Sequence, residues 1–175
     1  MRLARILCAA VALASAGSAQ AAPLFADSEW HRLASPDGQV SALFPCTTAE
    51  ATARSQDGGF AIECRKQGLL FVIASGMPSA NPADQGKVLN FDYFYSDAIK
   101  RLPPEERRES MIGGHRAIAI VCPGRDGVPC IEIVDLAPGK PLIVGAPEVS
   151  LSAAQRAEGL AAGRKFYDSL EIGGQ

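Results

Sequence analysis

No stretch of this 175-residue chain reaches the roughly 20 consecutive apolar residues that a membrane-spanning helix requires, so no span is expected. Basic residues are outnumbered, 17 against 19 acidic, and they do not cluster. That balance argues against a partner such as nucleic acid or anionic lipid, both of which need grouped Lys and Arg. Histidine is scarce: His31 and His115 are the whole supply, and they do not sit at ligand spacing. With no CxxC pair either, the usual frameworks for a metal are missing. The G-x-S-x-G elbow is absent, as are the P-loop and a G-x-G-x-x-G ahead of a helix. Serine hydrolysis and nucleotide binding thereby lose their usual scaffolds, and no cofactor is expected.

What is present begins at the start of the chain. Arg2 and Arg5 precede the small, apolar run Ile6–Ala16, and Ala19-x-Ala21 follows. A charged start, a short apolar core and small residues at a processing site make a secretory leader, predicted to be cleaved after residue 21. Residues 22–175 then form one exported domain of 154 residues, enough to bury a sizeable core. The leader carries two of the 17 basic residues and no acid, so the mature net charge is −4. Its destination is the periplasm or the cell exterior.

Five cysteines occur, and Cys8 leaves with the leader. The apolar run follows Cys8 instead of preceding it, which is the wrong order for a lipid-attachment cysteine. Cys46, Cys64, Cys122 and Cys130 remain, an even set in an oxidising compartment, and are expected to pair as structural disulfides. Four cysteines allow three pairings, and spacing favours Cys46 with Cys64 and Cys122 with Cys130.

Strand signals open at Trp30–Ala34 and return at Val40–Phe44, on either side of the turn Ser35-Pro-Asp-Gly38. After a polar stretch, Asp57-Gly-Gly59 turns the chain into a strand over 60–66. Leu69–Ala74 follows as a continuous apolar run, typical of a central strand. Met77–Gly86 reads as a loop. The period then changes: Val88, Phe91, Tyr95, Ala98, Ile99 and Leu102 recur at helical spacing, which predicts a helix over 88–102 stopped by Pro103-Pro104. Further strands are expected at 107–112, 115–122, 128–136 and 141–146. Ser152–Gln155 has the form of a capping box opening a second helix, with Leu151, Ala154, Ala161 and Phe166 as its inner stripe. Gly159 and Gly163 weaken that helix and suit a close approach to the sheet. Ser169–Ile172 could add a terminal strand. The expected class is α+β, a central antiparallel sheet of about six or seven strands with helices packed on its faces.

Three short segments resemble the PsbP-like fold group, which includes the extrinsic P subunit of photosystem II, a Ran-binding nuclear factor and many exported bacterial domains. Trp30, Ser35-Pro-Asp-Gly38 and Ala42-Leu-Phe-Pro45 are similar to its opening hairpin. Gly113-Gly-His-Arg-Ala117 is similar to its central hairpin, and Phe166-Tyr-Asp-Ser-Leu170 to its closing segment. The resemblance implies a central antiparallel sheet with helices on both faces. It implies no activity, because members of one fold do unrelated work, and no functional residue carries over. The four cysteines are an addition to the group's pattern.

No residue earns a catalytic assignment. His115 starts a strand beside Gly114 and Arg116, and His31 sits beside Trp30, but no companion nucleophile is identifiable for either. Gly124-Arg-Asp-Gly127 reads as a turn with Asp126-Gly127 at its tip, in preference to an anion cradle built on Arg125. The expectation is a non-catalytic exported domain, an interaction or accessory module of the bacterial envelope that meets an envelope protein through a sheet edge or loops. The alternative is a binder of a small apolar ligand between the aromatic helix 88–102 and the sheet. There Phe91, Phe94 and Tyr95 would face Leu69–Ile73.

Overall fold

A computed structural model of the chain describes residues 23–77 and 90–173. Among the described residues ten strands form two sheets, all of their pairings antiparallel. The larger contains seven: β3 (Thr52–Gln56), β4 (Gly59–Lys66), β5 (Leu69–Ser75), β6 (Arg107–Ile112), β7 (His115–Ile120), β8 (Ile131–Ala137) and β9 (Lys140–Gly145). Their spatial order is β3-β4-β5-β9-β8-β7-β6. The smaller contains β1 (His31–Ala34), β2 (Val40–Phe44) and β10 (Glu171–Ile172), with β2 in the middle. Helices α1 (Phe91–Arg101) and α2 (Arg156–Asp168) complete an α+β domain in which sheet dominates. Among the described residues no helix is long and apolar enough to cross a membrane.

The opening hairpin forms as its turn chemistry predicts. Ser35 N–H donates to Val40 O at 2.8 Å, its hydroxyl donates to Asp37 Oδ1 at 2.5 Å, and Gln39 N–H donates to the same oxygen at 3.0 Å. Those bonds, the Ser35 hydroxyl foremost, hold the Asp37 carboxyl below its usual value. The hairpin does not join the large sheet, however. Its outward partner is the chain's last strand, with Glu171 opposite Ser41 and Ile172 opposite Val40. Ser169 fixes that closure, its Oγ accepting Leu43 N–H at 2.7 Å.

Period-two alternation then sorts side chains to the two faces of the large sheet. Phe60, Ile62, Cys64, Leu69, Phe71, Ile73, Ala117, Val134, Leu142 and Val144 share one buried cluster with Phe44 and Phe166, under α2 and the small sheet. Ile118 and Ile133, one residue out of step, point the other way and pack with Phe91 and Ala98 of α1. The helices therefore occupy opposite faces.

Several boundaries differ from the sequence reading, among them the ends of β7, which stops at Ile120 and not at residue 122, and β10, which holds only residues 171–172 of the expected 169–172. Thr52–Gln56, part of what reads only as a polar stretch, is edge strand β3; every residue in it is exposed, so no apolar period marks it. Trp30 precedes β1, because residues 27–29 form a 3-10 turn that ends there. Residues 128–130 belong to the loop before β8, not to the strand. Helix α1 starts at Phe91, capped by Asn90, whose Oδ1 accepts Tyr93 N–H at 2.9 Å. Val88 and most of the expected loop over 77–86 lie outside the described residues.

The inner stripe of α2 is also different: Gly159, Leu160, Ala162, Gly163 and Phe166 are buried, whereas Ala154 and Ala161 are exposed. The glycines explain the shift. A Cβ on Gly159 would lie 2.3 Å from Leu151 Cδ1, and one on Gly163 would lie 3.2 Å from Arg125 Nη2. These two positions let the helix come close, so they face inward and rotate the alanines out. Gln155 reaches back as the capping box requires, its Oε1 accepting Ser152 N–H at 3.4 Å, although a 3-10 turn over 153–155 precedes α2 proper. Both favoured cysteine pairs are joined, Cys46–Cys64 at an S–S distance of 2.01 Å and Cys122–Cys130 at 1.98 Å.

Candidate functional site

The outward alanines of α2 form one wall of a groove. The other wall is the segment before β1, where Phe25 is buried against Trp30 and Phe71 with ring centroids 5.8 and 6.1 Å away. Edge-on contacts of this kind fix the Trp30 ring in place. Its face is covered by Lys165, whose Nζ stands 4.8 Å from the ring centroid and 2.6 Å from Asp27 Oδ1. That ammonium lowers the Asp27 carboxyl below its usual value, chiefly by its hydrogen bond. Between the walls lies a space of about 730 Å³. Pro23, Leu24, Phe25, Trp30 and three alanines of α2 (157, 161 and 162) line it, and Asp27, Glu158 and Lys165 supply its charges. Sequence reasoning missed this site. Trp30 read as the start of a strand and Ala161 as core, so neither pointed to a shared surface.

A smaller cleft, about 300 Å³, lies beside α1 and is lined by Phe91, Tyr95, Glu109, Ser110, Met111, Arg116 and Ala117. The Arg116 guanidinium lies 5.0 Å from the centre of the Phe91 ring and 5.5 Å from that of Tyr95. Tyr95 donates its hydroxyl hydrogen bond to Glu109 at 2.8 Å, which raises the phenol above its usual value. The expectation that Phe91, Phe94 and Tyr95 face Leu69–Ile73 is not met. Leu69, Phe71 and Ile73 point to the α2 face, while the helix aromatics pack on Ile118, Ile120, Ile131 and Ile133. The cleft that results is small, its aromatic faces taken by a cation of the protein itself.

Behind α2 lies a buried polar cluster. Gly124–Gly127 forms the expected turn, with Asp126 at φ 47°, but Arg125 turns inward and is only 5% exposed. Its Nε donates to Val128 O at 3.3 Å, and its Nη1 stands 3.6 Å from Glu148 Oε1. Neither terminal nitrogen has a hydrogen-bond partner among the described residues, and nor does that carboxylate oxygen. Burial pulls the guanidinium below its usual value, partly offset by Glu148. Tyr167, its hydroxyl accepting Ala146 N–H at 3.2 Å, is raised by burial and then by the Glu132 carboxylate. An arginine set between glycines in a turn reads as exposed, so nothing in the sequence signalled this placement.

Glu132 is itself buried, and that burial raises its carboxyl above the usual range, opposed by Arg108 two strands away in the same row. A carboxyl raised on folding holds its proton more tightly in the native state, so stability falls as pH rises. The penalty is absent below the usual carboxyl range and complete once pH passes the raised value. Glu132→Gln is expected to remove this slope and raise stability near neutral pH. Urea midpoints measured from about pH 4 to about pH 7 check it; equal slopes in the two proteins would refute the assignment.

The histidines stand apart from all three features. His115 Nδ1 lies 3.1 Å from Asp135 O, a backbone contact at the start of β7, and His31 is half-buried at the start of β1. Among the described residues neither is hydrogen-bonded to a serine, cysteine or carboxylate side chain. No family model, curated protein or solved structure matches the chain. The site must speak through its chemistry.

Proposed function

We propose that the mature chain is a non-catalytic exported binding module of the bacterial envelope, acting in the periplasm or outside the cell. It holds a small apolar ligand in the groove between residues 23–30 and α2. The observation that carries this reading is the groove itself: about 730 Å³, bounded by an aromatic wall and a wall of alanines. Sites for small molecules span roughly 300–1,000 Å³ and are mostly apolar with a few polar groups at fixed places. Lys165 and Asp27 supply such groups at one rim. Export is supported by the leader pattern of residues 1–21 and by two cysteine pairs that persist only in an oxidising space. The three PsbP-like segments support a fold group without an activity of its own.

Trp30 is the chain's one tryptophan and lines the groove, which makes it a built-in reporter. Titration with the uncharged probe N-phenylnaphthylamine is expected to give saturable energy transfer from Trp30. Ala161→Leu, which places a larger side chain on an exposed helix position in the groove, is expected to weaken the probe about tenfold, some 1.4 kcal/mol. It should leave the unfolding midpoint nearly unchanged. Absence of saturable transfer, or full affinity in the variant, overturns the ligand reading in favour of a protein partner.

A further inference from the structure

The two disulfides differ in access. Cys46 and Cys64 are 3% and 0% exposed, sealed in the main core, whereas Cys122 is half-buried and only its partner Cys130 is fully enclosed. The accessible pair closes an eight-residue separation around the loop that carries Arg125 inward. Gly124 and Gly127 take positive φ freely, so the loop's one backbone cost is Asp126, a non-glycine residue at φ 47°. Its cargo is also poorly compensated: both terminal nitrogens of Arg125 are buried without a hydrogen bond, and Glu148 is 3.6 Å away. A buried charge with so few partners returns to water when its tether is released. On the inner side of α2 the guanidinium meets Gly163, while the outer side of the same helix walls the groove.

We propose that Cys122–Cys130 is a redox-operated latch, whose reduction frees Arg125 from beneath α2 while Cys46–Cys64 keeps the domain folded. The reductant is a dithiol protein or small dithiol of the exported compartment. Its thiolate attacks Sγ of Cys122, forming a mixed disulfide and breaking the Cys122–Cys130 bond. Its second thiol then displaces Cys122, so the dithiol leaves as a disulfide. Two electrons and two protons pass to the protein, which ends with two thiols. The new Cys130 thiol finds an acceptor in place, as Ile120 O lies 3.3 Å from its sulfur. This inference does not depend on what the groove binds.

Graded dithiothreitol treatment of the leader-cleaved protein, followed by iodoacetamide and peptide mapping, tests it together with brief tryptic digestion. Cys122 and Cys130 are expected to be alkylated at least tenfold faster than Cys46 and Cys64. Cleavage after Arg125 is expected to rise at least tenfold in the partly reduced protein, with cleavage after the exposed Arg54 unchanged. The double substitution Cys122→Ser with Cys130→Ser should reproduce that cleavage without reductant. If it does not fold, the dithiothreitol series on the native sequence still decides. Equal alkylation of all four cysteines, continued protection of Arg125 after reduction, or a general rise in cleavage at every site would each overturn the latch.

Discussion

Replacing Phe166 with alanine is expected to lower the free energy of unfolding by about 3–5 kcal/mol, the range for truncating a well-packed core aromatic. Phe166 is fully buried, and its ring joins layers that nothing in the local sequence connects. Phe44 of β2 lies 5.1 Å away in the small sheet, and Phe71 of β5 lies 5.3 Å away in the large one, both edge-on. The chain passes from one sheet to the other without a shared hydrogen-bond ladder, so this aromatic trio carries much of their docking. A hole there cannot be refilled easily: Phe44 and Phe71, its nearest large neighbours, are fully buried and each is held in a different sheet. Urea unfolding of the oxidised protein measures the effect, and a loss under about 1.5 kcal/mol would mean that the layers collapse onto the cavity. The groove would be affected too, since Phe71 also braces Phe25 and Trp30.

The hairpins and α1 were legible because each follows a local rule. Ser35-Pro-Asp-Gly38 contains its own hydrogen-bonding partners, Gly113-Gly114 accepts a tight turn between β6 and β7, and Phe91, Tyr95 and Ala98 repeat at helical spacing. The disulfide pairs follow from short separations in the same way. What escaped are the features set by distant contacts. The pairing of β2 with β10 joins Ser41 to Glu171, and no pattern at either end announces it. Strand β3 is held to β4 by its ladder and by the Arg54–Glu63 ion pair, with both faces wet, so hydrophobic period has nothing to mark. The groove is the clearest case. Small residues at 157 and 161 are equally compatible with core and surface, and Gly159 and Gly163 decide between them by admitting Leu151 and Arg125. That decision lies in side-chain geometry seen only after folding.

The Arg125–Glu148 pair makes the second large prediction, one in which two truncations have opposite signs. Glu148→Ala leaves a buried guanidinium with no countercharge, since its remaining bond is Nε to Val128 O. Removing one member of a buried pair costs about 3–5 kcal/mol. Glu148 is 23% exposed and shares its charge with Arg156 at 3.8 Å, which places the expected loss at the lower end, about 3 kcal/mol. Arg125→Met, by contrast, removes the desolvated charge and keeps the volume beneath Gly163, so it is expected to be neutral or to stabilise by about 1–2 kcal/mol. In the Arg125→Met background, Glu148→Ala should then cost less than about 1 kcal/mol, because no orphaned cation remains. A double-mutant cycle by urea unfolding reads all four corners. If Arg125→Met instead destabilises as much as Glu148→Ala does, the pair is a net source of stability. Arg125 would then have no tendency to leave the interior when its disulfide opens, and the latch would lose its driving force.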